Sequence, residues 1–134
     1  MEGIGDGVSP VPNGEMSAAP VPRADGWEYV QWLLGRRRRF VVRENSMVPT
    51  LMPGDTVLAA MGPVGQVGDI AIAPHPTRPN FLLIKRIQAI FPDGGVYLIS
   101  DNTQDPSVRD SRHFGVIAAS HMLGRVTSRL AAAV

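Results

Sequence analysis

One serine and one lysine are the groups in this chain best suited to breaking a peptide bond. Ser46 lies in ENSMVPTLMPGD, residues 44–55, where Pro49 and Pro53 restrict φ and the Pro53-Gly54 pair sets a turn. A hydroxyl on so stiff a loop is either an ordinary turn group or a nucleophile, and a serine nucleophile needs a base. The chain offers three histidines, His75, His113 and His121. His75 sits within PHPTRP, His121 opens an expected strand, and none belongs to a triad signature, so all three read as structural groups. With no cysteine there is no thiol nucleophile, disulfide or thiolate site. No His, Asp or Glu cluster has metal-ligand spacing, so no metal or other cofactor is assigned.

The base is sought in Lys85. Of thirteen basic residues twelve are arginines, and Lys85 is the single lysine. Arginine stays charged, whereas a desolvated lysine can give up its proton. In FLLIKRIQAI, residues 81–90, strand alternation puts Phe81, Leu83, Lys85, Ile87 and Ala89 on one face. An amine in that apolar row is pushed toward its neutral form, and adjacent Arg86 is expected to push the same way. Tuned to a pKa of roughly 7–8, it can act as a general base. The competing reading is a lysine whose stem covers apolar surface while its amine reaches water.

These two residues need a scaffold. Residues 1–25 are rich in Pro, Gly, Ala and Ser without apolar periodicity and read as a disordered leader. Residues 26–39, GWEYVQWLLGRRRR, carry Trp27, Val30, Leu33 and Leu34 at helical spacing, followed by four arginines. They read as a short helical segment packed on the domain with a solvated basic end, or as a dock for an anionic membrane surface or an acidic partner. From residue 40 to 134 short apolar runs alternate with Pro/Gly punctuation. FVV, TVLAA, DIAIA, FLLIKRIQAI, VYLIS, GVIAA and MLGRV read as strands of a mainly β domain, a small mixed barrel or folded sheet.

The totals agree. The chain has 134 residues, 44% of them apolar, enough for one modest core. A net charge of +1 does not point to nucleic acid. No apolar run approaches the ~20 residues needed to span a bilayer, and the N-terminus lacks a secretory signal pattern. The expected location is the cytoplasm.

SMVPTL, PGD, a later GDI, IKR on a strand and SDN…DSRHFG occur in that order. Over residues 40–127 this resembles the signal-peptidase superfamily of Ser-Lys proteases, which includes type I signal peptidases and is related to self-cleaving LexA-like repressors. The resemblance implies a signal-peptidase/LexA-like catalytic β-fold, with Ser46 as nucleophile and Lys85 as general base of a serine endopeptidase. It implies an oxyanion site at the Ser46 amide, and a place for Met47 beside the substrate groove or in the core. Asp110 and Arg112 of DSR would form an ion pair behind the site.

Three positions depart from that pattern. Glu44 stands where many bacterial signal peptidases carry a hydroxyl donor, and its carboxylate is expected to point away. Ser100 replaces the glycine of Gly-Asp-Asn. The loop from Asn102 to Asp110 is longer than common, so the serine that orients the lysine is sought at Ser107, with Ser111 as the other choice. Among branches, the absence of an N-terminal membrane helix, of a large insertion and of an upstream Ala-Gly or Cys-Gly bond favours the small nickel-type superoxide dismutase maturation proteases. That resemblance implies removal of an N-terminal propeptide from the dismutase precursor. The alternatives are a type I signal peptidase-like protease acting on exported preproteins, and an inactive peptide-binding module.

Overall fold

Seven apolar runs become seven strands in the computed structural model, which describes residues 19–62 and 65–133. They are β1 (Arg38–Val41), β2 (Thr56–Met61), β3 (Ile70–Pro74), β4 (Leu82–Ile90), β5 (Gly95–Ile99), β6 (Ile117–Ala118) and β7 (Gly124–Ala131). They form one sheet in the order β1-β2-β7-β3-β4-β5-β6. Every pairing between these strands is antiparallel, where the sequence left a mixed sheet open.

The sheet has two halves. β3 meets β7 through only two residue pairs, Ala71↔Arg125 and Ile72↔Gly124. Ala71, Ala73, Ile87, Val96, Leu98, Ile117 and Met122 form one apolar cluster. Val42, Met47, Leu51, Val57 and Ile70 form a second, joined by Val21, Phe40, Ile84 and Val126, so β3 and β4 contribute to both.

Two boundaries differ from the sequence reading. Residues 1–18 of the expected leader lie outside the described residues, but 19–25 belong to the fold. Arg129 N–H donates to the Pro22 carbonyl at 2.8 Å and Ala24 N–H to the Arg129 carbonyl at 2.9 Å, so this segment runs beside β7. The expected 26–39 helical segment is a helix only over α1, Gly26–Leu33. Asp25 caps its start by accepting from Glu28 N–H at 3.0 Å. Gly35, at φ +78°, ends it: Gly35 N–H donates to Trp32 O and Arg36 N–H to Gln31 O, the paired bonds of a Schellman cap. The chain then turns, and Arg38 and Arg39 enter β1.

The helix also faces the other way from expectation. Glu28 and Gln31 form its buried side, while Trp27, Val30, Leu33 and Leu34 are exposed. Glu28 accounts for this inversion. Its carboxylate accepts from Thr127 Oγ1, from Ser128 Oγ at 2.8 Å and from Arg37 Nε at 3.1 Å. A paired carboxylate that anchors to β7 turns the apolar stripe outward.

Candidate active site

The Ser46 loop is closed at its base and filled from beneath. Val42 N–H donates to the Asp55 carbonyl and Gly54 N–H to the Val42 carbonyl, so the loop leaves and re-enters the sheet at one point. Gly54 turns there at φ +95°, a conformation that a side chain would strain. Met47 and Leu51 point into the core with no exposed surface. Truncating either to alanine is expected to cost about 2–5 kcal/mol. Met47 thus fills the core and, through the same side chain, forms part of the wall beside Ser46. Ser46 is 7% exposed, and its N–H meets no acceptor among the described residues.

Lys85 lies on β4 between Leu83 and Ile87, all three buried on one face. Its exposure is 3%, so the amine does not reach out to water. Nζ donates to Ser100 Oγ at 3.0 Å. Burial pushes the lysine pKa below its usual value; the charges of Asp110 and Glu44 pull it back up, and Arg112 pushes it down. Arg86, expected to push the same way, is not among these influences; it pairs with Asp101.

Ser100, Asp101 and Asn102 between them hold β4 and the serine loop. Ser100 accepts from Lys85. Asp101 accepts from Arg86 Nη2 at 2.6 Å and Nε at 3.2 Å, and from Thr50 Oγ1 at 2.6 Å. Asn102 N–H donates to the Ser46 carbonyl at 2.9 Å, and Asn102 Nδ2 to the Asn45 carbonyl at 2.8 Å. One tripeptide therefore ties the lysine strand to the serine loop.

Asp110 supports this tripeptide from behind. It has no exposed surface and caps α2 (Ser111–Phe114). Arg112 Nε and Nη2 donate to its two oxygens at 3.0 and 2.8 Å, and Ser100 N–H donates to Oδ2 at 2.8 Å. Burial alone would raise its pKa. The Arg112 guanidinium and the Ser100 and Arg112 amides outweigh that and hold it down to about 2. Ser111 Oγ accepts from Leu98 N–H at 2.8 Å and so fixes α2 to β5.

Ser107 is placed differently from expectation. It is exposed, and its hydroxyl donates to Asp105 Oδ1 at 2.7 Å. The lysine's partner is Ser100, the residue first noticed only as a departure from glycine. Strand register explains why. Arg86 pairs with Ile99, so the next step sets Lys85 opposite Ser100. An irregularity between Ile87 and Ala89 produces that register, and the PDGG turn by itself does not reveal it.

A cleft of about 510 Å³ runs past both residues. One wall is Arg39–Glu44 and the other Asn80–Lys85, with Ser46, Met47 and Ile72 between them. β1 is a terminal strand of the sheet, so among the described residues one row of its backbone groups has no strand partner. A smaller cavity of about 170 Å³ continues beyond Lys85, bordered by His75, Arg78, Ser107 and Arg109. Glu44 borders both spaces and acts on Lys85's charge, so it does not turn away from the site as expected.

His75 and His113 serve locally. His75 Nδ1 accepts from Thr77 N–H at 3.1 Å, and His113 Nδ1 accepts from Asp110 N–H at 3.2 Å. Among the described residues, no group of three or more His, Cys, Asp or Glu side chains converges in a way that could hold a metal ion.

A stiff loop bearing a serine and a sheet bearing a buried lysine agree with what comparison finds. Residues 37–126, more than half of the chain, match the Peptidase S24-like family model. The chain belongs to the Peptidase S24-like family. This Peptidase S24-like domain has the antiparallel β-fold of a Ser-Lys peptidase, and membership carries a serine-peptidase type of function with a protein substrate. A search of curated proteins finds no match.

Proposed function

We propose that the chain is a serine endopeptidase in which Ser46 attacks and Lys85 moves the proton. The observation that carries this reading is Lys85: a buried amine with a lowered pKa, held by one neutral hydroxyl, on the cleft that Ser46 also lines. A peptide laid against the unpaired side of β1 would extend along the cleft as an added strand. Ser46 Oγ would then form a bond to the scissile carbonyl carbon as neutral Lys85 accepts the hydroxyl proton. The Ser46 amide would face the resulting oxyanion. Lys85 would return the proton to the departing amine, and water would release the acyl group by the same route.

Lys85 is bonded to Ser100 and not to Ser46, so the Ser46–Lys85 bond would tighten when substrate fills the cleft; catalytic bonds are often loose without substrate. Asp110 would set Ser100 through its backbone, and Ser100 would aim the amine. The reaction requires the neutral amine, so activity should rise as pH climbs through Lys85's lowered pKa.

The finer assignment is removal of an N-terminal propeptide in the cytoplasm, with a nickel-type superoxide dismutase precursor as substrate. Motif order and the resemblance to that small branch support it. The test is incubation of precursor with parent, Ser46→Ala and Lys85→Ala, with mass spectrometry of the product's N-terminus. A single new N-terminus from the parent alone supports the assignment. Equal processing by all three would remove the dyad. Cleavage of other exported precursors in preference to this one would remove the substrate.

A further inference from the structure

The exposed face of α1 is the feature that the peptidase reading leaves unused. An amphipathic helix on a water-soluble domain buries its apolar stripe. Here Trp27 is 63% exposed and Leu33 85%, with Val30 and Leu34 beside them, while Glu28 and Gln31 are buried. At about 100° per residue, Trp27, Val30, Leu33 and Leu34 occupy one contiguous arc. The chain leaving this helix carries Arg36, Arg38 and Arg39, all exposed. Across residues 26–39 the only acidic residue is Glu28, and it is held by Thr127, Ser128 and Arg37.

From this we infer that α1 and the arginines after it form a dock for an anionic lipid surface. Such a surface matches both halves of the patch. Its interface takes a tryptophan and aliphatic side chains, and its headgroups neutralise the arginines. A second copy of the chain would cover the apolar arc but bring a second set of arginines against the first. Residues 1–18 carry Glu2, Asp6 and Glu15 but no aromatic residue and no leucine. They match the charge and not the area. Among the described residues no helix is long and apolar enough to cross a membrane, so the contact is with the surface. Arg39 also borders the cleft, so the dock adjoins the cleft mouth.

Full-length chain is sedimented with phosphatidylcholine vesicles, with and without phosphatidylglycerol, at low and high salt. Binding is expected on the anionic vesicles, and to weaken with salt. Arg36→Gln with Arg38→Gln, and separately Trp27→Ala with Leu33→Ala, should each weaken it by about tenfold or more. Circular dichroism checks that these surface variants fold. No binding to the anionic vesicles overturns the proposal, as does binding that the variants leave intact. A dimer in solution that Trp27→Ala with Leu33→Ala dissolves would assign the arc to a second copy and overturn it equally. Vesicle binding does not depend on peptidase activity, so the two readings fail separately.

Discussion

Lys85 and Arg86 are neighbours on β4, both basic and both buried, and the fold treats them in opposite ways. Arg86 meets Asp101 through two nitrogens and also donates to the Gly68 and Ala19 carbonyls. Every arm of its guanidinium has an acceptor, so it holds parts of the chain together. Lys85 is given one hydroxyl, and its nearest opposing charges, Asp110 and Glu44, only partly offset the effect of burial. The same low-dielectric interior therefore makes one cation structural and leaves the other ready to lose its proton. The difference lies first in the groups themselves, since a guanidinium keeps its proton where an ammonium can lose it, and then in the number of acceptors supplied.

Substitutions can break that contrast. The largest effect should come from Lys85→Met, which removes the proposed proton carrier. Turnover is expected to fall by about 10³–10⁴ or more in a peptide-cleavage assay, while thermal melting stays level or rises because a desolvated amine is gone. The parent should also gain stability as pH rises toward 10.5. In that window the unfolded lysine binds a proton that the folded one, with its lowered pKa, does not. Lys85→Met should lack this slope, and a parallel pair of stability–pH curves would refute the assigned direction of shift.

On the opposite face, Asp101→Ala leaves the Arg86 guanidinium buried without its carboxylate. Chemical denaturation should report a loss of about 3–5 kcal/mol. A loss below about 1 kcal/mol would mean that Arg86 finds other partners and that the contrast is overstated. Asp110→Asn should cost less, about 1–2 kcal/mol near neutral pH, because its partner Arg112 is half exposed and screened. Asp110's pKa is lowered from 3.8 to about 2. Its contribution is present above 3.8 and lost as pH falls toward about 2, so parent and variant should converge in acid.

The smallest effect sharpens the picture at Lys85 itself. Glu44 raises the lysine's pKa. Glu44→Gln should therefore lower it and move the acidic limb of the pH–rate profile to lower pH, with little change in melting. An unmoved limb would show that Glu44 does not act on the base.

Much of this arrangement was legible before any coordinates. Period-two alternation placed Leu83, Lys85 and Ile87 on one face, and Pro/Gly punctuation separated the seven strands. The serine loop declared itself through Pro49 and the Pro53-Gly54 turn. Less legible was anything set by register or by polar anchoring. Ser100 reaches Lys85 only because β4 and β5 slip by one residue between Ile87 and Ala89. Ser107, nearer the expected motif spacing, bonds within its own loop to Asp105. Hydrophobic spacing alone predicts that α1 buries Trp27 and Leu33, whereas three donors to Glu28 decide its orientation. Such long-range polar bonds leave no periodic trace in a sequence.

The run Ser100-Asp101-Asn102 has a further consequence. Because three adjacent residues grip both β4 and the serine loop, their spacing is a mechanical gauge as well as a chemical one. A conservative exchange within the run disturbs one grip and leaves two. An added or deleted residue there would misdirect all of them at once, while the same length change a few residues later, between Thr103 and Arg109, would be absorbed by exposed chain. Variation among relatives of this domain should accordingly show side-chain drift inside the tripeptide and length drift only after it.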